Sequence, residues 1–438
     1  MTLATPITVI RGRFLDIQKT VSQAAEIADQ VRYLEDGVII TEQGKIRWFG
    51  TWNDAQDHLP INIEIQHYPE QLIIPGMIDT HIHFPQTEMV GAYGEQLLSW
   101  LNTYTFPTEI QFKDKAYASE IAKFFVNELL KNGTTTALVF CTVHPESVDA
   151  LFEAAEQHQM RLIAGKVMMD RHAPEALCDS ADSSYDDSKA LIEKWHGQGR
   201  ALYAITPRFA PTSTPEQLER AGQLKAEYPD VYVHTHLSEN KDEIAWVKDL
   251  FPAQKGYLDV YHHYGLTGQR SVFAHCVHLE DAEWQCMHET DSAIAFCPTS
   301  NLFLGSGLFP LNKTWQQQVK VGLGTDVGAG TSFSLLQTVN EAYKVQQLQG
   351  DKLSAYESLY HATLGGAKAL DLDDKLGNFN VGKEADFVVL NLKPTALQQL
   401  RQSRAKSLED SLFALFTMGD DRNVEATYIY GQKAYSQS

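Results

Sequence analysis

The chain of 438 residues has few cysteines and few positive charges, and each shortage excludes a class of protein. Its five cysteines are odd in number and scattered, without a C-x-x-C pair. This argues against a disulfide framework and indicates a reducing compartment. Lysine and arginine number 36 against 56 aspartate and glutamate residues, which gives a net charge of −20. Such an acidic chain is unsuited to bind nucleic acid or an anionic membrane, because both require a cationic protein surface.

Long apolar runs are also lacking. The first 20 residues show no basic start followed by an apolar core, so we expect no secretory signal. Runs such as Leu72–Ile74 are far too short to cross a bilayer. The hydrophobic fraction of 43% is nevertheless sufficient for a large packed core and excludes extensive disorder. We therefore expect a cytoplasmic globular protein of about two to three domains, or one large enzyme domain with an appendage.

Short apolar strands alternate with amphipathic helices from about residue 72 onward. Eight segments have the pattern of buried strands: 72–79, 134–141, 161–168, 201–207, 231–236, 271–275, 292–297 and 319–325. Eight such strands, each followed by a helix over roughly 250 residues, predict an α/β protein with a (β/α)₈ TIM-type barrel. The alternative is a doubly wound open sheet, which normally carries a glycine-rich phosphate-binding turn after its first strand. The segment 79–83, Asp-Thr-His-Ile-His, stands there instead.

Strand patterns also occupy both ends of the chain. Residues 37–50 are typical of a hairpin around a glycine-containing turn. Further strands are indicated at 387–390 and 424–430. We expect the two ends to join in one small β-sandwich domain beside the barrel. The predicted domains are the N-terminal part of the β-sandwich, the catalytic barrel and the C-terminal part of the β-sandwich, at 1–74, 75–372 and 373–438.

Candidate metal ligands stand at the carboxyl ends of the predicted barrel strands. His81 and His83 close the first strand at positions i and i+2, so their side chains point the same way. Asp326 follows the eighth strand, where a carboxylate is costly unless it is paired, metal-bound or capping a helix. The fifth strand ends with His234 and His236, which share a face, and the spacing alone does not decide which is a ligand.

His275, at the end of the sixth predicted strand, completes this group. Taken singly, each member is equally well explained as a hydrogen-bonded core residue or a helix cap. Together they lie on the barrel face where active sites form. Three imidazoles and one carboxylate suit Zn²⁺ or Fe²⁺ better than Mg²⁺ or Ca²⁺. Only one metal is expected, because strand four ends in Thr206-Pro207-Arg208, without the lysine that often bridges two metals in hydrolases of this architecture.

Longer segments carry a resemblance to a known family. They are PGMIDTHIHFPQ (75–86), WLNTYTFPTE (100–109), MDRHAP (169–174), TPRF (206–209), HLSEN (236–240), CPTSN (297–301) and GTDV (324–327). Over about residues 30–431 the chain resembles the amidohydrolase superfamily. Residues 104–109 and 207–209 narrow the resemblance to its guanine deaminase family.

The resemblance implies a zinc-dependent hydrolase that converts guanine to xanthine and ammonia in purine catabolism or salvage. It implies one zinc ion per chain, held by His81, His83, His236 and Asp326. Water activated by zinc would attack the carbon that carries the exocyclic amine. Asp326 would accept a proton from that water, and His275 would orient it. Glu239 would protonate the ring nitrogen and then the departing amine; outside the resemblance, Glu239 is equally a first-turn acid of the following helix.

Four further residues are candidates for binding guanine. Arg208 offers a planar donor fork for the C6 carbonyl, which adenine lacks, and Gln86 offers both a donor and an acceptor. Phe209 and Trp100 are suited to stack on the ring, although without the resemblance they are more simply core residues. The segment 84–109 is a candidate lid over the substrate.

Three alternative functions stay open on the sequence alone. One is another deaminase or dechlorinating hydrolase of the superfamily, acting on a different purine or a triazine; Arg208, Phe209 and residues 104–109 argue against it. A second is a non-catalytic relative that uses the fold for binding or assembly, but such relatives tend to lose ligands that are all present here. A third, a binuclear amide-ring hydrolase, is disfavoured by the missing lysine. The resemblance also implies a homodimer.

Overall fold

The computed structural model describes residues 7–93 and 97–437. Its strands are β1 (Ile7–Ile17), β2 (Val31–Glu42), β3 (Lys45–Thr51), β4 (Ile65–Pro75), β5 (Met77–His83), β6 (Thr134–Phe140), β7 (Arg161–Gly165), β8 (Val167–Met168), β9 (Leu202–Pro207), β10 (Tyr232–Leu237), β11 (Ser271–His275), β12 (Ala293–Phe296), β13 (Lys320–Leu323), β14 (Phe387–Leu390), β15 (Val424–Ile429) and β16 (Gln432–Ser436).

The α-helices fill the connections between these strands. They are Trp52–Ala55, Leu97–Trp100, Phe106–Glu109, Lys115–Lys131, Pro145–Glu156, Ala181–Trp195, Pro215–Glu227, Lys241–Leu250, Tyr257–His263, Asp281–Glu289, Pro298–Phe303, Leu311–Gln317, Leu335–Leu348, Ala355–Ala362, Leu364–Ala369, Ala396–Gln402 and Leu408–Met418. Shorter 3₁₀ or π-helical turns are Ala24–Gln30, Phe84–Met89, Leu101–Thr105, Ile110–Lys113, Glu175–Leu177, Ala210–Thr212 and Asp421–Asn423. Among the described helices, none combines the length and apolar character that crossing a membrane requires.

The barrel is a parallel sheet in the order β5-β6-β7-β9-β10-β11-β12-β13, with β8 extending the third strand and pairing with β9. Its first and last strands nearly close the ring. The Thr80 hydroxyl donates a hydrogen bond to the Leu323 carbonyl at 3.0 Å, and the Asp326 amide donates to the His81 carbonyl at 2.9 Å. The predicted barrel is therefore confirmed, and the alternative open sheet is wrong.

The start of the first barrel strand differs from the prediction of 72–79. Leu72–Pro75 pair with β14 in the other sheet, and the barrel strand begins at Met77. Gly76 lies at the junction, where an added side-chain carbon would stand 2.0 Å from the Thr135 hydroxyl oxygen. Both strands are apolar and nearly continuous in sequence, so hydrophobicity alone does not reveal the change of sheet.

The two ends of the chain form a second, seven-stranded sheet in the order β16-β15-β14-β4-β1-β2-β3. It is mixed, because β1 and β4 are parallel whereas the remaining pairs are antiparallel. The predicted hairpin corresponds to β2 and β3, joined through Gln43 and Gly44, both at positive φ. A small sheet domain built from both ends of the chain is thus confirmed, and the bounds 1–74, 75–372 and 373–438 stay predictions.

A buried ionic cluster joins the amino-terminal ends of the barrel strands to this sheet. Arg200, just before β9, pairs with Glu384 and Asp386, and Arg161 at the start of β7 also pairs with Glu384. Burial alone would raise the pKa of Glu384, but the two guanidinium groups lower it overall. Asp386 also accepts a hydrogen bond from the Tyr430 amide at 2.8 Å, so it is tied to both parts of the molecule.

Replacing Arg200 with alanine is expected to lower the free energy of unfolding by about 3–5 kcal/mol, because Asp386 would remain buried without its counter-charge. Urea unfolding followed by circular dichroism measures this. Arg220→Ala is the matched control, since Arg220 pairs with Asp182 on the surface, where both side chains are exposed. The control should change stability by about 1 kcal/mol or less. Equal losses in the two variants would contradict the role assigned to the cluster.

Candidate active site

A cavity lies at the carboxyl end of the barrel strands. Its lining includes most of the side chains singled out in the sequence: His83, Gln86, Trp100, Arg208, Phe209, His236, Glu239, His275 and Asp326. His81 lies directly beneath, fully buried, with its Nε2 3.2 Å from Asp326 Oδ1. The structure thus brings all the predicted site residues to one place.

Four of these side chains form a compact cluster of potential ligand atoms. Asp326 Oδ1 lies 3.2 Å from Nε2 of both His81 and His83, and His83 Nε2 lies 3.3 Å from His236 Nε2. Ligand atoms around a tetrahedral ion bound at about 2.0–2.1 Å are themselves about 3.3 Å apart. The cluster therefore has the size that a single such ion requires.

The hydrogen bonds of the imidazoles also fit metal binding. His236 Nδ1 is 2.7 Å from the Arg208 carbonyl, to which only a protonated Nδ1 can donate, so Nε2 keeps its lone pair for a ligand. His81 Nε2, fully buried, makes no hydrogen bond to any described residue. Burial lowers the pKa of His83 to about 3 and that of His81 and His236 below the ordinary value. All three are then neutral, as metal ligands must be.

The carboxylate of Asp326 is buried within this cluster, with its Oδ1 beside His81 and His83. Asp79 fixes the adjoining backbone, because its carboxyl group accepts hydrogen bonds from the Thr325 amide and hydroxyl and from the His81 amide. Asp79 thereby links the two strands that supply the cluster.

The structure shows which of the two histidines at the end of β10 can act as a metal ligand. His236 lies in the cavity wall with its Nε2 beside His83. His234 is fully buried behind the cluster, and its Nε2 is 2.7 Å from His81 Nδ1. His234 is therefore placed to orient the His81 ring and not to bind the same ion.

We predict that His234→Asn weakens metal binding about 10- to 100-fold, the usual cost of removing a partner that orients a ligand. Competition with a chromogenic chelator measures the metal affinity independently of turnover. His262→Asn is the control, because His262 is exposed and contacts Thr267. Unchanged affinity in the His234 variant would refute this role.

Glu239 faces the cluster from the loop after β10. It is buried, its Oε1 accepts a hydrogen bond from the Ser306 hydroxyl at 2.9 Å, and its Oε2 is 3.5 Å from His275 Nε2. Burial and the charge of Asp326 raise the pKa of Glu239 to about 8. His275 Nδ1 lies 2.9 Å from Asn301 Oδ1, which turns its Nε2 towards Glu239 and towards Asp326 Oδ2 at 3.8 Å. Glu239 can therefore hold and transfer a proton at neutral pH.

The cavity also has a second polar group in its wall. Arg208 and Gln86 are both buried, and both contact the buried carboxylate of Glu109. Trp100 and Phe209 are also buried and line the same cavity. The wall therefore combines hydrogen-bonding groups with aromatic side chains.

Much of this wall comes from the predicted lid segment 84–109. Residues 94–96 of that segment lie outside the described residues. The remainder forms short helices that supply Gln86, Trp100 and Glu109. Whether the segment closes over a substrate stays a prediction.

Several side chains with contacts in the site were not singled out from the sequence as functional. They include Glu109, Asn301, Ser306 and, as a partner of a ligand, His234. Glu109 and Asn301 stand within the segments that carried the family resemblance, which is the signal that could have drawn attention to them. Their contacts join residues far apart in the chain, so no local sequence pattern predicts these contacts.

Known proteins match the chain over most of its length. Residues 72–434 match the Amidohydrolase family. Guanine deaminase of Escherichia coli (strain K12) is 62% identical over 432 residues, covering 99% of this chain and 98% of that protein. A solved structure of E. coli guanine deaminase has a TM-score of 0.96 at 60% identity, covering 99% of this chain and 100% of that one. The crystal structure of guanine deaminase from C. acetobutylicum with guanine in its active site has a TM-score of 0.88 at 31% identity, covering 98% and 100%.

Proposed function

Because this chain belongs to the amidohydrolase family, we propose that its cavity hydrolyses guanine to xanthine and ammonia. One observation carries the proposal: the ligand cluster and Glu239 line the same cavity as Arg208 and Gln86. The similarity to guanine deaminases over nearly the whole chain supports the same substrate.

The amidohydrolase family is metal-dependent, and we propose that the ion here is zinc. His81, His83, His236 and Asp326 would hold one ion per chain, since three neutral imidazoles and one carboxylate are a donor set that zinc prefers. When bound, zinc supplies the Lewis acidity that makes water nucleophilic near neutral pH.

The protein's own residues then move the protons. Asp326 accepts a proton from the attacking water while the water oxygen forms a bond to C2 of guanine. Glu239, protonated at neutral pH because its pKa is raised to about 8, donates its proton to N3 of the ring. Glu239, now ionised, takes the remaining proton from the oxygen added at C2 and passes it to the exocyclic amine. The C2–N bond breaks, ammonia leaves, and the proton held by Asp326 returns to Glu239. His275 holds the water between Glu239 and Asp326.

Arg208 and Gln86 select the purine. The Arg208 guanidinium donates to the C6 carbonyl of guanine, and Gln86 supplies a donor and an acceptor to the adjoining edge. Adenine presents an amino group at C6, which cannot accept these hydrogen bonds. Phe209 and Trp100 pack against the ring.

We further propose a cytoplasmic homodimer that acts in purine metabolism. All five cysteines are free thiols, as is usual in a reducing compartment. Two-fold oligomers are the commonest assemblies of soluble enzymes. Light scattering after gel filtration tests the dimer, with a monomer mass of 49.2 kDa as the contrary result.

The substrate is tested by measuring ammonia release from guanine, adenine and cytosine, and ring opening of a hydantoin, under identical conditions. We expect guanine to be preferred over adenine by about 10⁴-fold, because a site built to hydrogen-bond a carbonyl leaves its donors unpaired with an analogue that lacks it. Turnover of another ring, with guanine inert, would overturn the substrate assignment while leaving the metal site in place.

A further inference from the structure

Glu109 is a buried carboxylate that the reaction steps above do not use. It stands at the end of the helix Phe106–Glu109, fully buried, and each of its oxygens has one partner in the cavity wall. Oε2 accepts a hydrogen bond from the Arg208 NH1 group at 2.7 Å, and Oε1 accepts one from the Gln86 Nε2 group at 3.2 Å. Glu109 therefore holds two side chains that face the substrate, one through each of its oxygens.

This support fixes how Gln86 presents its amide. Its Nε2 donates to Glu109, and its Oε1 accepts a hydrogen bond from the Gly328 amide at 3.3 Å. A rotation of the amide by half a turn would place Oε1 against the Glu109 carboxylate and Nε2 against the Gly328 N–H. Both contacts would then be repulsive, so a single orientation is stable.

Glu109 also holds Arg208 in place and balances its charge. The guanidinium is confined between the carboxylate and the ring of Phe106, whose centroid is 5.5 Å from the guanidinium carbon. A buried arginine without a counter-charge is unfavourable and would attract anionic ligands. With Glu109 beside it, the pair is neutral overall and suited to an uncharged heterocycle.

We propose that Glu109 is a positioning residue that sets the preference for a purine with a carbonyl at C6. The inference rests on the proposed function, since it concerns how the same site reads guanine. Glu109 does so by fixing the donors of Arg208 towards that carbonyl and by holding Gln86 in one orientation.

A suitable probe is 2,6-diaminopurine. It keeps the C2 amine that is hydrolysed but carries an amino group at C6, so it gains nothing from a fixed Arg208. Loss of Glu109 should therefore lower kcat/KM for guanine far more than kcat/KM for the probe. A purely structural defect would lower both equally.

The test uses Glu109→Gln. In this variant the amide oxygen introduced at position 109 can accept from Arg208, but the amino group of that amide then faces the amino group of Gln86. Glu153→Gln is the control, because Glu153 pairs with Lys115 on the protein surface.

For Glu109→Gln we expect kcat/KM for guanine to fall about 10- to 100-fold, the effect of losing one charged hydrogen bond. For 2,6-diaminopurine we expect less than about a threefold change, because its C6 amino group does not make the interaction that is lost. Metal content and circular dichroism establish that each variant is folded and loaded. An equal loss for both substrates overturns the inference. Failure of the unmodified enzyme to deaminate guanine would instead refute the proposed function.

Discussion

Replacing Glu239 with glutamine is expected to lower kcat for guanine by about 10²–10⁴-fold, the range for loss of a general acid–base group. Glutamine is nearly the same size and keeps an acceptor for the Ser306 hydroxyl, but it cannot donate a proton to N3 and then to the leaving amine. Because Glu239 is not among the ligand atoms of the cluster, the bound metal should be unchanged. Steady-state kinetics of xanthine formation, with metal analysis of the same sample, measure both quantities.

The control for this experiment is Glu153→Gln. Glu153 pairs with Lys115 on the protein surface, so the same chemical change should leave kcat unaltered. If Glu239→Gln retained more than about a tenth of the activity, proton transfer would have to be assigned to another group. If it lost its metal as well, the loss of rate would not report on proton transfer.

A second large effect is expected for His83→Asn. Its Nε2 lies within 3.2–3.3 Å of two other ligand atoms, Asp326 Oδ1 and His236 Nε2, so its removal opens the cluster on one side. We expect substoichiometric metal after gel filtration and a fall in kcat/KM of about 10³-fold or more, because activation of water depends on the ion. Elemental analysis and kinetics at saturating added zinc separate loss of metal from loss of function.

Comparison with His234→Asn sharpens this test. His234 contacts the His81 ring from behind and supplies no atom to the cluster, so its loss should weaken metal binding less than loss of His83. A His83 variant that retained one metal ion per chain, at an affinity equal to the unmodified protein, would contradict the assigned ligand set.

The barrel could be predicted because its signal is local and repeated. Apolar strands alternate with amphipathic helices, and the strand ends of a parallel barrel meet on one face. For this reason His81, His83 and Asp326 could be expected near one another, although residues 81 and 326 are far apart in the chain. The change of sheet at Gly76 could not be predicted, because β4 and β5 are both apolar and only one residue separates them.

The contacts that position the ligand and cavity side chains could not be predicted from the residues alone. Glu109 meets Arg208 across 99 positions of sequence, and His81 meets His234 across 153. The Glu109 contact depends on how the segment 84–109 folds over the barrel rim, and a lone glutamate in a short helix has no pattern that specifies its partner. The His81–His234 contact joins the strands β5 and β10, which are not neighbours in the sheet. The choice between His234 and His236 had the same limit, since both lie on one face of β10 and only the neighbouring strands distinguish them.

The single-metal site is tested most directly by a titration of metal-free protein with Zn²⁺, with the initial rate of xanthine formation from guanine measured after each addition. We predict no turnover without metal, a linear rise to one zinc ion per chain, and a constant rate beyond it. Turnover of guanine by the metal-free protein, or a rise that continues to two ions per chain, would contradict a single-metal guanine deaminase site formed by His81, His83, His236 and Asp326.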